Sequence, residues 1–440
     1  MPVKCDLCGI ESTLDATFFR APKSFSRSIH TYCPNCWQKQ QHSDTKWIAL
    51  LNLGFGAVGL LFWLIGPEIR IGYILINVFL FQLFLVLTIV PHELGHALMA
   101  RLIGMRVFKI YLGSGRTMFS FKLLGFDSEL RSLPTGGVVV AAHRSLEHLR
   151  VNQFAFILAG PAINVLLAAA IWTFLSPGTL SSIHQLGHGF QPGLAFFCAN
   201  LAVLLENLWP RDVATVFGRV PSDGKQLFQA FFLSREKREL HHAAGFIMEA
   251  AVCHQIGDCE VARRWVEEGL KLYPDNEALL NWHGVIGLDL GEYGKARDCF
   301  LELLNRESRQ PLMRPLMLNN IAYADALLGG EDLLKEADAF SQEAMMAMSW
   351  MPAIRGTRGT VLVAMGSFDE GLALLRDSMS QATQTNHKAQ NACLIAEAES
   401  LCGNLIAARN YLEEARKLDP RCSLLPRTEA IIQQALSSRS

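Results

Sequence analysis

"VLTIVPHELGHALMARLIG", residues 86–104, joins membrane-grade apolar sequence to a metal-binding pattern. Leu87, Ile89 and Val90 suit hydrocarbon. Ionisable groups such as His92, Glu93 and His96 are expensive there and default to function. His92 and His96 are four residues apart, which puts both rings on one face of a helix. Their nitrogens can share one zinc ion, and Glu93 then sits beside the metal-bound water and can take its proton. Two histidines leave zinc short of protein ligands; a hydrolytic site needs a third and keeps the fourth position for water. The pattern is short, so its surroundings decide what it means.

Those surroundings are apolar. Trp47–Ile65 runs for 19 residues without a charge, Ile71–Val90 for 20 and Phe154–Leu175 for 22, and Gly193–Leu205 opens another run. About 20 apolar residues cross the roughly 30 Å of hydrocarbon in a bilayer. Half of the 440 residues are hydrophobic, and mean hydropathy is +0.20. The excess lies in these runs, so we expect about four transmembrane helices between residues 47 and 213. The N-terminus is polar up to Trp47, and no cleavable leader is expected. Arg101, Arg106, Lys109, Arg116, Lys122, Arg131, Arg144 and Arg150 fall between the second and third runs, whereas the two opposite loops hold only Arg70. That bias puts residues 101–150 and both termini on the cytoplasmic side of a multi-pass protein of the cell membrane, with a bacterial inner membrane as the expected location. A formal net charge of −1 leaves no global field to draw nucleic acid.

Downstream, "NLWPRDVATVFGRVPSDG" contains Asn207, Pro210, Asp223 and Gly224. Asp223 can complete a His-His-Asp site. Between the two motifs lies "AGPAINVLLAAA", with Gly160, Pro161 and Asn164. Pro161 frees a backbone carbonyl, and Asn164 adds an amide inside an apolar helix. Taken in this order, the motifs resemble the site-2 protease family of intramembrane zinc metalloproteases. The resemblance runs from about residue 70 to 228 and includes "LPTGGVVV" at 133–140. It implies His92, His96 and Asp223 as zinc ligands, Glu93 as the base, and a membrane-spanning protein substrate. It also suggests substrate or supporting roles for Asn164 and Asn207, where interhelical hydrogen bonding is the plainer reading. One spacing departs from the family: twelve residues separate Pro210 from Asp223. The insert contains Asp212 as an alternative ligand, and Asp223 is preferred because Gly224 follows it.

Segments within 107–140 read as short strands: "VFKIYLGSG", "TMFSFKLL" and "GGVVV", with turns at Gly113–Gly115 and Gly125. An open strand edge there could pair with an unwinding substrate. A packed amphipathic hairpin without a substrate role would show the same pattern.

Ahead of the apolar runs, residues 1–45 carry Cys5 and Cys8, then Cys33 and Cys36, in two Cys-x-x-Cys knuckles. Four such thiolates can surround one zinc, and a module this small has too little core to fold without a staple. We read a structural zinc and a module that resembles a zinc ribbon. The chain's eleven cysteines are odd in number and scattered, which makes a poor disulfide framework.

The C-terminal half is periodic. Glycines at 257, 291, 330, 366 and 403 follow one another at intervals of 34, 39, 36 and 37 residues. Five residues after four of them stands a small residue: Ala262, Ala296, Gly371 and Ala408. This resembles the tetratricopeptide repeat, in which small residues let paired helices approach closely; the stretch around "LLGGEDLLKEADAF" fits worst. Such a solenoid offers a concave face for a protein or peptide partner.

The expected architecture is therefore mainly α. A zinc-ribbon-like module (1–45) precedes a membrane-embedded bundle with a short β-rich insertion (46–228), and a helical solenoid follows (229–440). The expected function is intramembrane zinc endopeptidase, with one catalytic and one structural zinc. The rival is a catalytically silent, membrane-anchored scaffold that recruits partners through its repeats.

Overall fold

The computed structural model describes residues 2–14, 18–22, 29–175, 187–215, 218–306 and 313–437. The chain divides into two compact units, one made of Met1–Trp37 with Phe246–Ser440, the other of Gln38–Gly245.

In the first unit, β1 (Val3–Lys4) pairs antiparallel with β2 (Glu11–Ser12), and β3 (Phe19–Pro22) with β4 (Ile29–Tyr32). Cys33 follows β4, and Cys36 sits in the first turn of α1 (Pro34–Ile65). Proline suits the start of that helix because the first helical N–H is unpaired in any case. No proline or glycine interrupts residues 35–53, so α1 runs unbroken from the second cysteine knuckle to the end of the first apolar run.

The second unit holds the apolar helices. α2 (Arg70–Leu102), β5 (Arg106–Leu123), β6 (Phe126–Ala142), α3 (Leu149–Trp172), α4 (Pro192–Leu208), β7 (Asp212–Thr215), β8 (Gly218–Pro221) and α5 (Asp223–Phe231) follow in order. Lys46–Ile65, Arg70–Leu102 and Leu149–Trp172 are long and apolar enough to cross a membrane. Trp47, Ile48, Leu50, Leu51, Leu53, Leu60 and Leu61 of the first are all exposed, a surface that lipid would cover and water would not tolerate. The expected fourth span is only 17 residues, Pro192–Leu208. Pro192 starts it and Pro210 lies just beyond its end, so at 1.5 Å per residue it reaches about 26 Å, the short limit for a span. Buried Asn77 on α2 stitches its start: Nδ2 donates to the Gly189 carbonyl at 2.9 Å, and Oδ1 accepts from the Gln191 N–H at 2.8 Å. Helices α2, α3 and α4 pack on one another, α5 packs on α3, and the β5–β6 pair packs on α2.

β5 and β6 are long, bent strands rather than a flat hairpin. Ile110 pairs with both Val139 and Ser128, and Leu112 with both Gly137 and Leu130. Residues 106–112 thus lie between 137–142 and 128–130, while 117–123 pair with 126–131. Gly113 and Gly115 both adopt positive φ and act as bulges within β5, whereas the tight turn is Leu124–Gly125.

The repeats are helix pairs: α6 (Arg235–Gln255), α7 (Cys259–Leu272), α8 (Glu277–Asp289), α9 (Tyr293–Asn305), α10 (Met313–Leu328), α11 (Glu331–Met348), α12 (Pro352–Ala364), α13 (Phe368–Gln381), α14 (Thr385–Leu401), α15 (Leu405–Leu418) and α16 (Leu425–Ser437). Gly257, Gly291, Gly366 and Gly403 follow helix ends with positive φ, the left-handed conformation that ends a helix at low cost only for glycine, whereas Gly330, at φ 101 and ψ 143, caps the start of α11. Ala262, Ala296, Gly371 and Ala408 are buried where paired helices touch. A Cβ on Gly371 would lie 2.9 Å from the Gly359 carbonyl oxygen. In the ill-fitting third repeat two successive glycines have positive φ, Gly329 past the end of α10 and Gly330 before α11, and its buried small residue is Ala337. Its close approach therefore falls seven residues after Gly330 instead of five.

Candidate metal centre

The HELGH turn sits in the last third of α2, just after Pro91, with His92, Glu93 and His96 all buried. The ring atoms His92 Nε2 and His96 Nε2 are 3.2 Å apart, and Asp223 Oδ2 lies 3.1 Å from the first and 3.5 Å from the second. Around a zinc with bonds of about 2.0–2.1 Å, tetrahedral ligands would be about 3.3–3.4 Å apart. These three donor atoms therefore fit one zinc ion.

Each histidine is oriented through its other nitrogen. His92 Nδ1 and Asn164 Oδ1 are hydrogen-bonded at 2.6 Å, and His96 Nδ1 and the Phe156 carbonyl at 2.8 Å. In both cases the oxygen can only accept, so Nδ1 carries the proton and Nε2 keeps a lone pair for metal. Asn164 in turn donates to Asn200 Oδ1 at 3.2 Å, and Asn200 donates to the Phe196 carbonyl at 3.0 Å. Asn200 is fully buried on α4. Sequence reading passed over it, although a lone amide in the apolar run "AFFCANLAVLL" was a signal of the same kind as Asn164.

Glycines open the cradle. A Cβ on Gly160 would meet His96 Nε2 at 2.3 Å and His92 Nε2 at 2.7 Å, so any side chain there would occupy the metal's place. Pro161, buried beside it in α3, removes one helical N–H. Gly95 lets α2 approach α3, since a Cβ would come 2.8 Å from the Ala159 carbonyl oxygen. Gly137 of β6 runs its backbone against Glu93, whose Cγ would be 2.5 Å from an added Cβ.

The long spacing before Asp223 resolves as an extruded hairpin. β7 and β8 pair from Asp212↔Pro221 to Thr215↔Gly218. Ser222 closes the base: its N–H donates to the Arg211 carbonyl at 2.8 Å, its Oγ accepts from the Arg211 N–H at 3.2 Å and donates to the Trp209 carbonyl at 2.7 Å. The same oxygen accepts from the Lys225 N–H and caps α5. Asp223 thus starts α5 next to the end of α4, as if the insert were absent. Gly224 is needed for this contact, because a Cβ would lie 1.8 Å from the Leu208 carbonyl oxygen. Asp212, the alternative ligand, instead pairs with Lys225 Nζ at 2.8 Å on the surface. Asn207 is half-buried on the last turn of α4 and, among the described residues, is not hydrogen-bonded to the histidines, Asn164 or Asp223.

In the other unit, one donor sulfur from each of Cys5, Cys8, Cys33 and Cys36 lies within 4.8 Å of the other three. Cys5, Cys33 and Cys36 are buried and Cys8 is exposed. Gly9, at φ +75, turns the first knuckle, and the Cys33 N–H points at Cys5 Sγ at 3.3 Å. Burial works against ionisation of Cys5, but the N–H groups of Cys33, Cys8 and Leu7 outweigh it and bring the thiol down to about 7. Burial, followed by the neighbouring thiols, pushes Cys36 up. A metal cation would remove that mutual repulsion of thiolates.

Three helices long and apolar enough to cross a membrane thus accompany a His-His-carboxylate group that could hold a metal ion and a buried glutamate. The chain matches peptidase family M50 over residues 80–392 and belongs to that family. A protein of Ralstonia nicotianae named as a putative zinc metalloprotease is 31% identical over 124 residues, which cover 23% of this chain and 27% of that protein. Stage IV sporulation protein FB of Bacillus subtilis is 32% identical over 131 residues, covering 29% of this chain and 35% of that protein. The chain thus aligns with about a third or less of these relatives' length. Among solved structures, a thermophilic TPR protein of Thermus thermophilus is 18% identical with a TM-score of 0.34, covering 44% of this chain and 98% of that one.

Proposed function

We propose that the protein is an intramembrane zinc endopeptidase that cuts membrane-spanning protein substrates. The observation that carries this reading is the near-tetrahedral grouping of His92, His96 and Asp223 beside buried Glu93, on helices apolar enough to cross a bilayer. His92, His96 and Asp223 would hold the catalytic zinc, and the four cysteines a structural one. Bound zinc supplies Lewis acidity for the scissile carbonyl and lowers the pKa of a coordinated water. Glu93 takes the proton of the attacking water and passes it to the leaving nitrogen. Asn164 and the Phe156 carbonyl keep both imidazoles in the ligating tautomer.

A substrate helix must become extended before its carbonyls can reach the site. Residues 137–142 form an outer strand of the small sheet, and Gly137 lies against Glu93, which supports pairing of an unwound substrate with this edge. We place both termini and the 101–150 segment on the cytoplasmic side of a multi-pass cell-membrane protein, a bacterial inner membrane in our reading. The repeats would select the substrate or restrain cleavage through a protein partner.

The test is cleavage of a membrane-protein substrate by purified protein alongside its zinc content. Glu93→Gln should keep its zinc and lose at least about 100-fold in turnover, the usual scale for a general base. Gly137→Val should keep zinc and lower cleavage by pushing the Glu93 side chain aside. Unchanged cleavage in Glu93→Gln would remove Glu93 as the base, and no cleavage by zinc-loaded wild-type protein would leave the silent-scaffold reading, in which the repeats alone carry function.

A further inference from the structure

The mechanism leaves one cluster of ligating side chains unused. His254 stands in the last turn of α6, Cys259 opens α7, and Asp289 ends α8. One donor atom from each lies within 4.8 Å of the other two. We propose that His254, Cys259 and Asp289 form a third metal site, within the first repeats, that takes a zinc-like divalent ion.

Three observations support it. First, the donors are already aimed. His254 Nε2 is hydrogen-bonded to Asp289 Oδ2. The other carboxylate oxygen accepts from Gln390 Nε2 at 2.6 Å, an outer contact of the kind that fixes metal ligands. The His254 ring stands edge-on to Trp282 with centroids 5.6 Å apart. Second, an imidazole, a thiol and a carboxylate make a donor set that suits a borderline-soft ion such as zinc, with a fourth position left for water. Third, the field favours a cation. The carboxylates of Asp289, Asp419, Asp258 and Glu260 all act electrostatically on the Cys259 sulfur, so negative charge lies around it. His254 is buried while Cys259 and Asp289 are half-buried, which leaves an entry path. A plain His254–Asp289 hydrogen bond would need neither the sulfur at ligand distance nor its acidic surroundings.

Tetratricopeptide-type helix pairs hold together by nearest-neighbour packing. A metal here would tie α6, α7 and α8 together at the first turn glycine, Gly257.

The experiment uses full-length protein in detergent, loaded with zinc, desalted and assayed for zinc per chain. Cys259→Ser and Asp289→Asn should each carry about one zinc fewer than wild type. Asp223→Ala should also lose one, but from the membrane site, so the two readings fail separately. Equal zinc in wild type, Cys259→Ser and Asp289→Asn would overturn the third site. Should either variant fold poorly, wild-type protein decides. Alkylation of Cys259 at alkaline pH should slow severalfold with zinc relative to chelator while exposed Cys402 reacts equally in both. Equal Cys259 labelling would sink the proposal.

Discussion

At the residue scale, the membrane centre depends on atoms that are absent as much as on those present. Gly160 leaves open the space into which both Nε2 atoms point, and an alanine methyl would sit 2.3 Å from one of them. Gly160→Ala should therefore abolish zinc binding at this centre while the cysteine cluster keeps its ion. Zinc content measured in a Cys5→Ser/Cys8→Ser/Cys259→Ser background isolates the effect; full zinc retention there would contradict this geometry. The two orienting hydrogen bonds were only half legible in advance. Asn164 was legible because an amide inside an apolar helix is costly unless satisfied. The Phe156 carbonyl was not, because backbone partners leave no mark in residue identity.

At the element scale, the twelve residues between Pro210 and Asp223 show how an insertion can spare a site. Ser222 binds both Trp209 and Arg211, so the hairpin leaves and returns at one point. Its length is then nearly free, in keeping with the slow growth of loop-closure cost with length. Replacing residues 214–219 with an Asn-Gly turn should leave zinc content and cleavage within about twofold of wild type. Adding Ser222→Ala to that variant should cost about 1 kcal/mol of local stability, the scale of a lost helix cap, and weaken zinc retention. A shortened loop that loses zinc with Ser222 intact would mean that the hairpin itself shapes the centre.

At the scale of the whole molecule, the cysteine module and the repeats form one unit. Cys5, Phe18, Tyr32, Cys33 and Cys36 share a core with Ala344, Ala347, Met348, Trp350 and Ile354. Ser12 Oγ donates to the Ala347 carbonyl at 2.7 Å, and Asn35 Nδ2 to the Trp350 carbonyl at 3.2 Å. Phe18 stands edge-on to Trp350 at 5.7 Å. Trp350 is 5% exposed, so Trp350→Ala should cost about 3–5 kcal/mol. It should lower together the temperature at which the cysteines release zinc and that at which the repeats melt. Early repeat melting with zinc release unchanged would argue against a shared core.

By itself the sequence determined whatever rests on local pattern: apolar length, histidine spacing, paired cysteines, and glycines recurring where helices must turn through positive φ. These follow from chain geometry over a few residues and need no partner. Tertiary structure alone decided what depends on distant residues meeting. It showed how Asp223, which Gly224 already favoured over Asp212, reaches the histidines despite the twelve-residue insert, because a hydrogen-bonded hairpin base cancels the spacing. It placed 106–112 inside its small sheet, recruited Asn200 and the Phe156 carbonyl, and gave the cysteine module a core borrowed from residues more than 300 positions away. Side chains that touch across such separations leave no periodicity in a single sequence, and only packing reveals them.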